Sequence, residues 1–432
     1  MQNYQELFKD KKITVMGLGL LGRGVGDAIF LAECGAKLTI TDLKTKEQLK
    51  ESLDKLKKFK DIKYTLGEHK LEDFQKADLV LKSAGVPLDS IYIKEARKNN
   101  ISVEMSGALL ASLANLPVVG VTGTRGKSTT THLVAHILET AGEKVLLGGN
   151  VRGVSNLQLL KKIKSADVIV LELDSWQLQG FGEAKISPHI SVFTNFMPDH
   201  MNYYKDDMQT YFTDKSYIYK FQNKEDVLIL GPQMKDLVVA NSKIINANAK
   251  NISKSWKFNL KGQHNLENIA CAVEVAKVLN VHEKFIKKAL ANFKSVAGRL
   301  ELVRKYKNID IYNDTNSTTP DATMAALNSF DKKVFLILGG MDKGIDVGKL
   351  LEILPKKTIK VFLTPGSGSD KIINKKAQIE KVENLKEAVC RAFKLAKKGD
   401  IIVFSPGFAS FNMFKNEYDR GDQFVTIVKG LE

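Results

Sequence analysis

Short apolar runs recur along the whole chain, and each is bounded by glycine, aspartate or proline. They fall into three sets, which read KITVMGLG, KLTITD and DLVLKS; then PVVGVTG, DVIVLEL, HISVFTNF and DVLILG; and finally IDIYND, KVFLILGG, IKVFLTPG and DIIVFSPG. Runs of this length and composition are typical of strands that are buried on both faces of a parallel sheet. The pattern therefore predicts at least eleven buried strands in three groups.

Helical periodicity fills the segments between these strands. After Lys127, apolar residues return at the spacing of one helix face, and Gly142 then offers a stop; they are Leu133, Val134, Ile137 and Leu138. Strands that alternate with helices imply βαβ units, and hence parallel sheets covered by helices. The sequence therefore predicts an α/β fold throughout.

Length and linker composition divide the chain further. The 432 residues leave room for about three ordinary domains. Boundaries are expected near the segment Leu113–Pro117 and near Lys294–Arg299. We therefore predict three domains, which span residues 1–114, 115–296 and 297–432.

Composition limits the compartment and the kind of protein. Hydrophobic residues make up 44% and charged residues 26%, which is ordinary for a water-soluble protein. The three cysteines, Cys34, Cys271 and Cys390, lie far apart and predict no disulfide framework. Charges interrupt the N-terminal segment and no apolar run reaches membrane length, so we expect a cytoplasmic protein without membrane contact.

The net charge of +16 raises the question whether the protein binds nucleic acid. The excess is mostly lysine, however, and it is spread along the chain without a compact basic block. A solvated lysine-rich surface is therefore the expectation, with no nucleic-acid partner. A basic P-loop ATPase that acts on nucleic acid stays open as an alternative from another class.

The stretch GVTGTRGKSTTTH, residues 120–132, has the chemistry of a phosphate-binding loop with an irregular spacing. Val121 stands where the ordinary P-loop pattern has its first glycine. An apolar strand still runs into a glycine-rich turn whose N–H groups, with the N-terminus of the next helix, can hold phosphate oxygens. Lys127 could then reach the terminal phosphates and Ser128 a Mg²⁺ ion, so we predict a central domain of the P-loop ATPase type.

The segment TGTRGKST resembles the ATP loop of the Mur ligases, the amide-forming enzymes of peptidoglycan synthesis. Further segments resemble motifs of that family in the same order along the chain: LELDSWQL, FTNFMPDHMNYY, TDKSYIYK, GQHNLENIACA, AGRLELV and YND. The resemblance covers all three domains. It implies Rossmann-like N-terminal and C-terminal domains, and an ATP-dependent ligase that forms an acyl phosphate.

The resemblance also implies roles for individual residues. Catalysis would involve Lys127, His200 and Lys215. Mg²⁺ would be held by Ser128, Glu172, His200 and a carbamate on Lys215. The residues expected to contact ATP are Thr124, Arg125, Gly126, Lys127, Ser128, Thr129, Thr130, Asn268, Arg299 and Asp314.

A second glycine cluster follows the first strand. Gly17, Gly19 and Gly22 form a GxGxxG pattern, which alone would suggest NAD with Asp42 on the ribose. The same backbone can hold the diphosphate of a UDP-sugar, and the resemblance favours that ligand. The residues that it implies are Gly19, Leu20, Leu21, Asp42, Ser83, Gly85 and Asn150. A dehydrogenase remains the alternative.

Two segments resemble the branch of the family that adds glutamate to UDP-N-acetylmuramoyl-L-alanine: VMGLGLLGRG near the N-terminus and SPGFASFNMFKNEYDRGDQF near the C-terminus. Glutamate would be held by Thr318, Lys343, Ser410 and Phe411. Lys343 and Ser410 each follow an apolar run, where ligands of parallel sheets gather. The expected partners are UDP-N-acetylmuramoyl-L-alanine, glutamate and ATP, and we expect a monomer.

Three departures from the family pattern affect the expected substrate. Asn316 replaces a lysine, Arg125 an asparagine and Asp174 a serine. D-glutamate is the expected amino acid, whereas the segment Ser317–Pro320 resembles a variant that joins L-glutamate. Folylpolyglutamate synthesis is a more distant alternative, which the GxGxxG domain disfavours.

Overall fold

The first sheet is entirely parallel and has the strand order β3-β2-β1-β4-β5. The structure is a computed structural model that describes residues 4–253, 255–372, 376–410 and 413–432. The strands are β1 (Lys12–Met16), β2 (Lys37–Asp42), β3 (Lys63–Leu66), β4 (Leu79–Lys82) and β5 (Ser102–Glu104). The helices are α1 (Tyr4–Phe8), α2 (Arg23–Glu33), α3 (Lys50–Asp54), α4 (Glu72–Gln75), α5 (Ile91–Lys98) and α6 (Ser106–Leu113).

The second sheet is also parallel, in the order β11-β10-β9-β6-β8-β7. Its strands are β6 (Val118–Thr122), β7 (Val145–Gly149), β8 (Val168–Glu172), β9 (Ile190–Phe193), β10 (Val227–Leu230) and β11 (Lys243–Asn246). The helices that follow them are α7 (Lys127–Ala141), α8 (Asn156–Leu159), α9 (Ser175–Ala184), α10 (Met201–Tyr204), α11 (Met208–Ser216), α12 (Gln263–Val278) and α13 (Glu283–Asn292). Strands β6 and β8 are buried along their full length, as their continuous apolar runs predict.

The third sheet has the order β12-β13-β17-β14-β15-β16, and β12 alone runs antiparallel to its neighbour. Its strands are β12 (Glu301–Tyr306), β13 (Ile309–Asn313), β14 (Val334–Leu338), β15 (Thr358–Leu363), β16 (Ile379–Lys381) and β17 (Ile401–Phe404). The helices are α14 (Pro320–Asn328), α15 (Gly348–Lys357), α16 (Leu385–Leu395) and α17 (Glu417–Lys429). Because β17 is inserted between β13 and β14 and runs parallel to both, the loops that follow these three strands lie at the same edge of the sheet.

The predicted α/β class, with parallel sheets covered by helices, is confirmed, and all eleven predicted strands are present. By contact density the chain forms two compact units, Met1–Ser253 with Glu267–Ala289 and Lys254–Leu266 with Leu290–Glu432. The first unit contains two sheets and the second contains the third sheet. The three-domain boundaries stay a prediction.

A buried carboxylate joins the first two sheets within the first unit. Asp27 on α2 accepts hydrogen bonds from the Ser155 hydroxyl and from the Leu157 backbone N–H at the start of α8, the latter at 3.0 Å. Gln158 donates back to the carbonyl of Gly26 at 3.0 Å. Burial raises the pKa of Asp27, although these hydrogen bonds oppose the shift. The bonds hold α2, and the glycine loop before it, against the second sheet.

A buried arginine organises the loops of the third sheet. Arg420 on α17 is 2% exposed and donates to the Thr315 hydroxyl (3.1 Å), the Thr315 carbonyl (2.7 Å) and the Phe408 carbonyl (3.1 Å). Burial lowers the pKa of Arg420 to about 10, so the side chain stays charged at neutral pH. It thereby ties the loop after β13 to the loop after β17. No helix within the described ranges has both the length and the apolar character needed to cross a lipid bilayer.

We predict that Arg420→Ala destabilises the second unit. The substitution leaves two carbonyls and a hydroxyl without their donor, and each unsatisfied buried group costs about 1–3 kcal/mol. The unfolding transition of the second unit should therefore shift down by several degrees in calorimetry. Arg391→Ala on α16 is the matched control, because Arg391 makes only exposed ion pairs. Equal midpoints for both variants would contradict this role for Arg420.

Candidate active site

The phosphate loop lies between β6 and α7 and is shaped by two glycines. Gly123 has φ of 143°, and a Cβ there would lie 1.9 Å from the Thr194 hydroxyl. Gly126 has φ of 83°, and a Cβ there would meet the Asn268 side chain at 2.2 Å. Neither position therefore tolerates a side chain. The backbone turns tightly into the N-terminus of α7, which is the geometry that binds anions.

Neighbouring segments fix the rest of the loop. The backbone N–H groups of Thr124 and Arg125 donate to the Asn195 carbonyl (2.9 Å) and side-chain oxygen (2.8 Å), respectively. The Thr194 hydroxyl donates to the carbonyl of Arg125 at 2.6 Å. The segment that follows β9 therefore holds the loop in place before any phosphate arrives.

Two lysine ammonium groups meet at one carbonyl of this loop. Lys127, the first residue of α7, donates to the carbonyls of Gly123 (2.9 Å) and Thr124 (3.1 Å). Lys215, near the end of α11, donates to the same Gly123 carbonyl at 2.9 Å. The structure thus brings together two of the predicted catalytic residues, which are 88 positions apart in the sequence.

Lys215 is 1% exposed, although its segment TDKSYIYK looks polar. Its ammonium lies 4.9 Å from the centre of the Tyr211 ring. Burial, reinforced by the nearby charge of Lys127, holds the pKa of Lys215 well below its usual value. A neutral amine is the form that can react with CO₂, so the environment suits the carbamate that the family resemblance implies.

The segment around His200 places a carboxylate, that of Asp199, beside the phosphate loop. The Arg125 guanidinium pairs with Asp199 at 3.3 Å, and the His200 ring lies 3.8 Å from the same carboxylate. Burial raises the pKa of Asp199, but the positive charge of Arg125, together with Lys127 and a hydrogen bond from the His200 backbone N–H, outweighs it and leaves a net decrease. Burial lowers the pKa of His200 and favours its neutral form. The neutral ring can act as a ligand or a hydrogen-bond partner.

Oxygen donors for a metal lie at the base of the loop. Glu172 ends β8, is 4% exposed, and pairs in register with Val121 of β6. Ser128 is 8% exposed in the first turn of α7. A hydroxyl and a carboxylate suit a hard cation such as Mg²⁺. The described ranges contain no group of three or more His, Cys, Asp or Glu side chains that could hold a metal.

The other predicted ATP residues of the first unit surround the loop. Thr129 and Thr130 are buried in the first turn of α7, and the Thr124 hydroxyl donates to the Met197 carbonyl at 3.0 Å. Asn268 on α12 is buried beside Gly126, as the glycine contact above shows. Their contacts with ATP stay a prediction.

A separate cleft of about 240 Å³ opens at the carboxyl ends of β1 and β4. Five of the seven predicted UDP-substrate residues lie along it: Gly19, Leu20, Leu21, Ser83 and Gly85. Asn156 on α8 and Gln177 on α9 also contribute to its wall. The cleft therefore lies where ligands of open parallel sheets bind.

Asp42 and Asn150 lie near this cleft, and their observed hydrogen bonds fix the backbone around it. Asp42 accepts hydrogen bonds from the N–H groups of Gly19 (3.1 Å) and Lys44 (2.9 Å). The Asn150 N–H donates to the Glu172 carbonyl at 2.7 Å, and its side-chain oxygen accepts from Arg23. Asp42 thus shapes the glycine loop, and Asn150 links α2 to the strand end that carries Glu172. Direct contact of either with a ligand stays a prediction.

Arg23 and Lys82 line the cleft and were not among the predicted site residues. Arg23 is the first residue of α2, and Lys82 is the last residue of β4. The signal for Lys82 was present in the sequence, because it ends the apolar run DLVLK directly before a glycine-containing turn. Burial lowers the pKa of Lys82 to about 8.

In the second unit, Asp314 is buried at the end of β13. It accepts hydrogen bonds from the Leu300 N–H (3.0 Å) and from the hydroxyls of Ser317 and Ser405. Burial raises the pKa of Asp314 to about 6, and the charge of Arg299 opposes this shift. Arg299 and Asp314 therefore lie near one another, and their contacts with ATP stay a prediction.

Three of the predicted glutamate residues lie on loops of the same unit. The Lys343 ammonium donates to the Thr318 hydroxyl at 3.1 Å. Met341 and Ala409 exchange two backbone hydrogen bonds (2.9 and 3.0 Å), which bring the loop of Lys343 beside that of Ser410. Ser410 is buried. The fourth predicted residue, Phe411, lies outside the described residues.

Two departures from the family pattern have local structural roles. Asp174 caps α9 by accepting from the Gln177 N–H at 2.8 Å, and the Gln177 side chain completes a capping box. The Asn316 side chain donates to the Ala297 carbonyl at 3.2 Å. Aspartate at position 174 is therefore a good substitute for serine as the N-cap of α9.

Family models match three consecutive segments of the chain. They describe a Mur ligase MurD-like N-terminal domain at residues 11–104, a Mur ligase middle domain at 121–250, and a Mur ligase glutamate ligase domain at 298–408. Their order agrees with that of the motifs.

Among similar solved structures, MurC of Thermotoga maritima has a TM-score of 0.62 at 19% identity and covers 97% of this chain and 99% of its own. The MurF ligase of Thermotoga maritima in complex with ADP has a TM-score of 0.61 at 17% identity, covering 98% and 95%. At these identities the likeness concerns the fold.

Curated relatives match nearly end to end. The UDP-N-acetylmuramoylalanine--D-glutamate ligase of Roseiflexus sp. (strain RS-1) is 34% identical over 98% of this chain and 99% of its own length. The ligase of the same name from Borreliella afzelii (strain PKo) is 36% identical over 98% of both chains. With three matching family models and full-length relatives, this chain belongs to the Mur ligase family, and its N-terminal segment is of the MurD-like type.

Proposed function

We propose that this protein is an ATP-dependent ligase that joins D-glutamate to UDP-N-acetylmuramoyl-L-alanine. The observation that carries the proposal is the pair of ammonium groups, Lys127 and buried Lys215, on the carbonyl of Gly123. A phosphate loop alone would fit many nucleotide enzymes. A second, buried lysine with a lowered pKa at the same carbonyl fits a site that forms a carbamate beside the transferring phosphate.

ATP use is supported by the loop geometry and by an ADP complex of a related fold. Joining a carboxylate to an amine requires a good leaving group, and transfer of the terminal phosphate to the alanyl carboxylate supplies one as an acyl phosphate. Both reactants carry negative charge, so the site must stabilise charge in the transition state. Lys127 and the loop N–H groups supply fixed positive charge and dipoles there.

Mg²⁺ fits the oxygen donors at the base of the loop. Ser128, Glu172 and Lys215 as a carbamate would hold it, and His200 would hold a second ion or orient the carboxylate. When bound, the metal neutralises charge on the transferring phosphate. The Asp199–Arg125 pair keeps a carboxylate beside His200 and thus orients the segment that carries the ring.

The glutamate is proposed to bind in the second unit, on Thr318, Lys343 and Ser410. Lys343 would pair with a carboxylate of glutamate, for which Thr318 and Ser410 provide hydroxyl groups. D-glutamate is proposed because the full-length relatives from Roseiflexus sp. and Borreliella afzelii are named for it. L-glutamate is the second candidate, because the segment Ser317–Pro320 resembles that of a family variant that joins L-glutamate.

The proposed function is tested by phosphate release from ATP. We expect release only with UDP-N-acetylmuramoyl-L-alanine and glutamate together, and much faster with D-glutamate than with L-glutamate. Faster release with L-glutamate would reverse the stereochemical assignment and leave the ligase reaction intact. Release that depends on nucleic acid, or on neither substrate, would contradict the proposed function.

We predict that Lys215→Ala is nearly inactive and is partly rescued by acetate or formate. The small acid can enter the space left by the side chain and stand in for the carbamate carboxylate. Lys127→Ala should show no such rescue, because it removes a cation. Lys220→Ala is the control, since Lys220 is exposed, follows the end of α11 and is not itself a predicted ligand.

The carbamate itself has a direct readout. Carbon NMR of the wild type in labelled bicarbonate should show a carbamate signal that Lys215→Ala lacks and Lys220→Ala keeps. A Lys215→Ala variant that keeps most of its activity without bicarbonate would show that no carbamate is needed.

We predict that Lys343→Ala raises the KM for glutamate far more than the KM for ATP. The reason is that the ammonium contacts Thr318 on the loop where glutamate is proposed to bind. Steady-state kinetics with each substrate varied in turn measure both constants. Lys349→Ala on α15, an exposed lysine of the same unit, is the control. The reverse pattern would assign Lys343 to the nucleotide.

A further inference from the structure

Lys82 is a buried cation in the wall of the first-sheet cleft. It is the last residue of β4 and is only 3% exposed. Its ammonium donates to the Val86 carbonyl at 2.9 Å and to the Ser83 carbonyl at 3.4 Å. The side chain therefore spans the turn that follows the strand and holds both of its ends.

This turn forms one side of the cleft against the glycine loop. The Ser83 N–H donates to the Met16 carbonyl at 2.9 Å, and the Val86 N–H closes the turn on Ser83 at 3.1 Å. A Cβ on Gly17 would come within 2.4 Å of the Ser83 hydroxyl, so turn and loop are in direct contact. A shift of the turn would thus change the shape of the cleft.

The charge of Lys82 lacks a close counter-ion. Within the part of the chain that the structure describes, no carboxylate forms an ion pair with it. Burial lowers the pKa of Lys82, whereas Asp174, Asp214 and Glu183 raise it from a distance and Arg97 lowers it further. A buried cation without a counter-ion is costly.

Two other charged groups line the cleft, and both already have partners. Asp27 accepts from Ser155 and Leu157, and Arg23 donates to Asn150. Neither therefore neutralises Lys82. The cleft itself offers the space in which an anion could do so.

We propose that Lys82 is a positioning residue whose ammonium holds the Ser83–Val86 turn and supplies the positive charge that attracts the diphosphate of a nucleoside-diphosphate sugar into this cleft. The inference rests on the proposed function, which supplies that ligand. The inference goes beyond the proposed function, because it assigns the positive charge of the cleft to a residue outside the glycine loop.

The assignment has a consequence for pH. In the free protein the pKa of Lys82 is about 8, so the ammonium is mostly charged at pH 7 and mostly neutral at pH 9. A bound anion favours the charged form and raises this pKa. Binding near pH 8 therefore takes up a proton, and affinity falls as the pH rises.

Calorimetric titration of the full chain with UDP-N-acetylmuramoyl-L-alanine tests this, without ATP. For the wild type we expect the affinity to fall by about fivefold to tenfold between about pH 7 and about pH 9. Titrations near pH 8 in buffers of different ionisation enthalpy should show proton uptake. Lys82→Met should bind about tenfold more weakly at neutral pH and lose most of the pH dependence.

Two further variants separate charge from shape. Lys82→Arg keeps a charge at both pH values, so its affinity should change less with pH than that of the wild type. Lys94→Met on α5 removes one exposed charge from the same sheet and should behave as the wild type. Lys215 also titrates, but it is present in all of these proteins, so their differences isolate Lys82.

The outcomes distinguish the inference from the proposed function. A wild type that binds the UDP-substrate without proton uptake overturns the inference alone, even if Lys82→Met fails to fold. So does a folded Lys82→Met variant with the affinity and pH profile of the wild type. A wild type that binds no UDP-substrate at any pH overturns the proposed function and, with it, the ligand assigned to Lys82.

Discussion

Repulsion between Lys127 and Lys215 is the physical constraint around which the second sheet is arranged. Two ammonium groups on one carbonyl repel each other, and burial of Lys215 removes the water that would screen them. The protein lowers the repulsion by letting Lys215 lose its proton easily, through the decrease in its pKa. A deprotonated amine there relieves the electrostatic problem and creates the nucleophile for CO₂. The ammonium of Lys127 and the N–H groups of the loop suit this site to a polyphosphate.

The strands that the sequence predicts and those that it misses differ in their place in the sheets. All eleven predicted strands are interior, and the six that escaped prediction are the two edge strands of each sheet; they are β3, β5, β7, β11, β12 and β16. Interior strands of a parallel sheet are covered on both faces and read as continuous apolar runs. An edge strand such as β11, with Lys243 and Asn246 exposed, carries no such run. Its position follows from pairing with β10, and this pairing cannot be predicted from the local sequence of β11.

The same distinction applies to the candidate site. The phosphate loop is local, because glycines, lysine and helix start all lie within a few residues, and the sequence was enough to predict it. Burial of Lys215 is not local. It depends on α11 packing beside the loop after β6, and no periodicity within TDKSYIYK shows it. Lys82 was not predicted individually for another reason: although it ends an apolar run directly before a glycine-containing turn, a lysine at such a place is usually only a polar boundary.

Lys82 and Lys215 are two instances of one arrangement, at the carboxyl-end side of two different sheets. Each is a lysine with little exposure, each donates to backbone carbonyls, and in each burial is the largest cause of a lowered pKa. Carbonyl partners stabilise an ammonium without neutralising it, so the Lys82 site keeps an affinity for anions. Lys215, with its lowered pKa, can instead give up its proton and form the proposed carbamate. The polar groups that could have served as counter-ions are used elsewhere: Asp27 joins α2 to α8, and Asp214 accepts from Gln179 and Tyr204. The first unit thus keeps two buried lysines with different proposed roles, a cation at Lys82 and an amine that can react with CO₂ at Lys215.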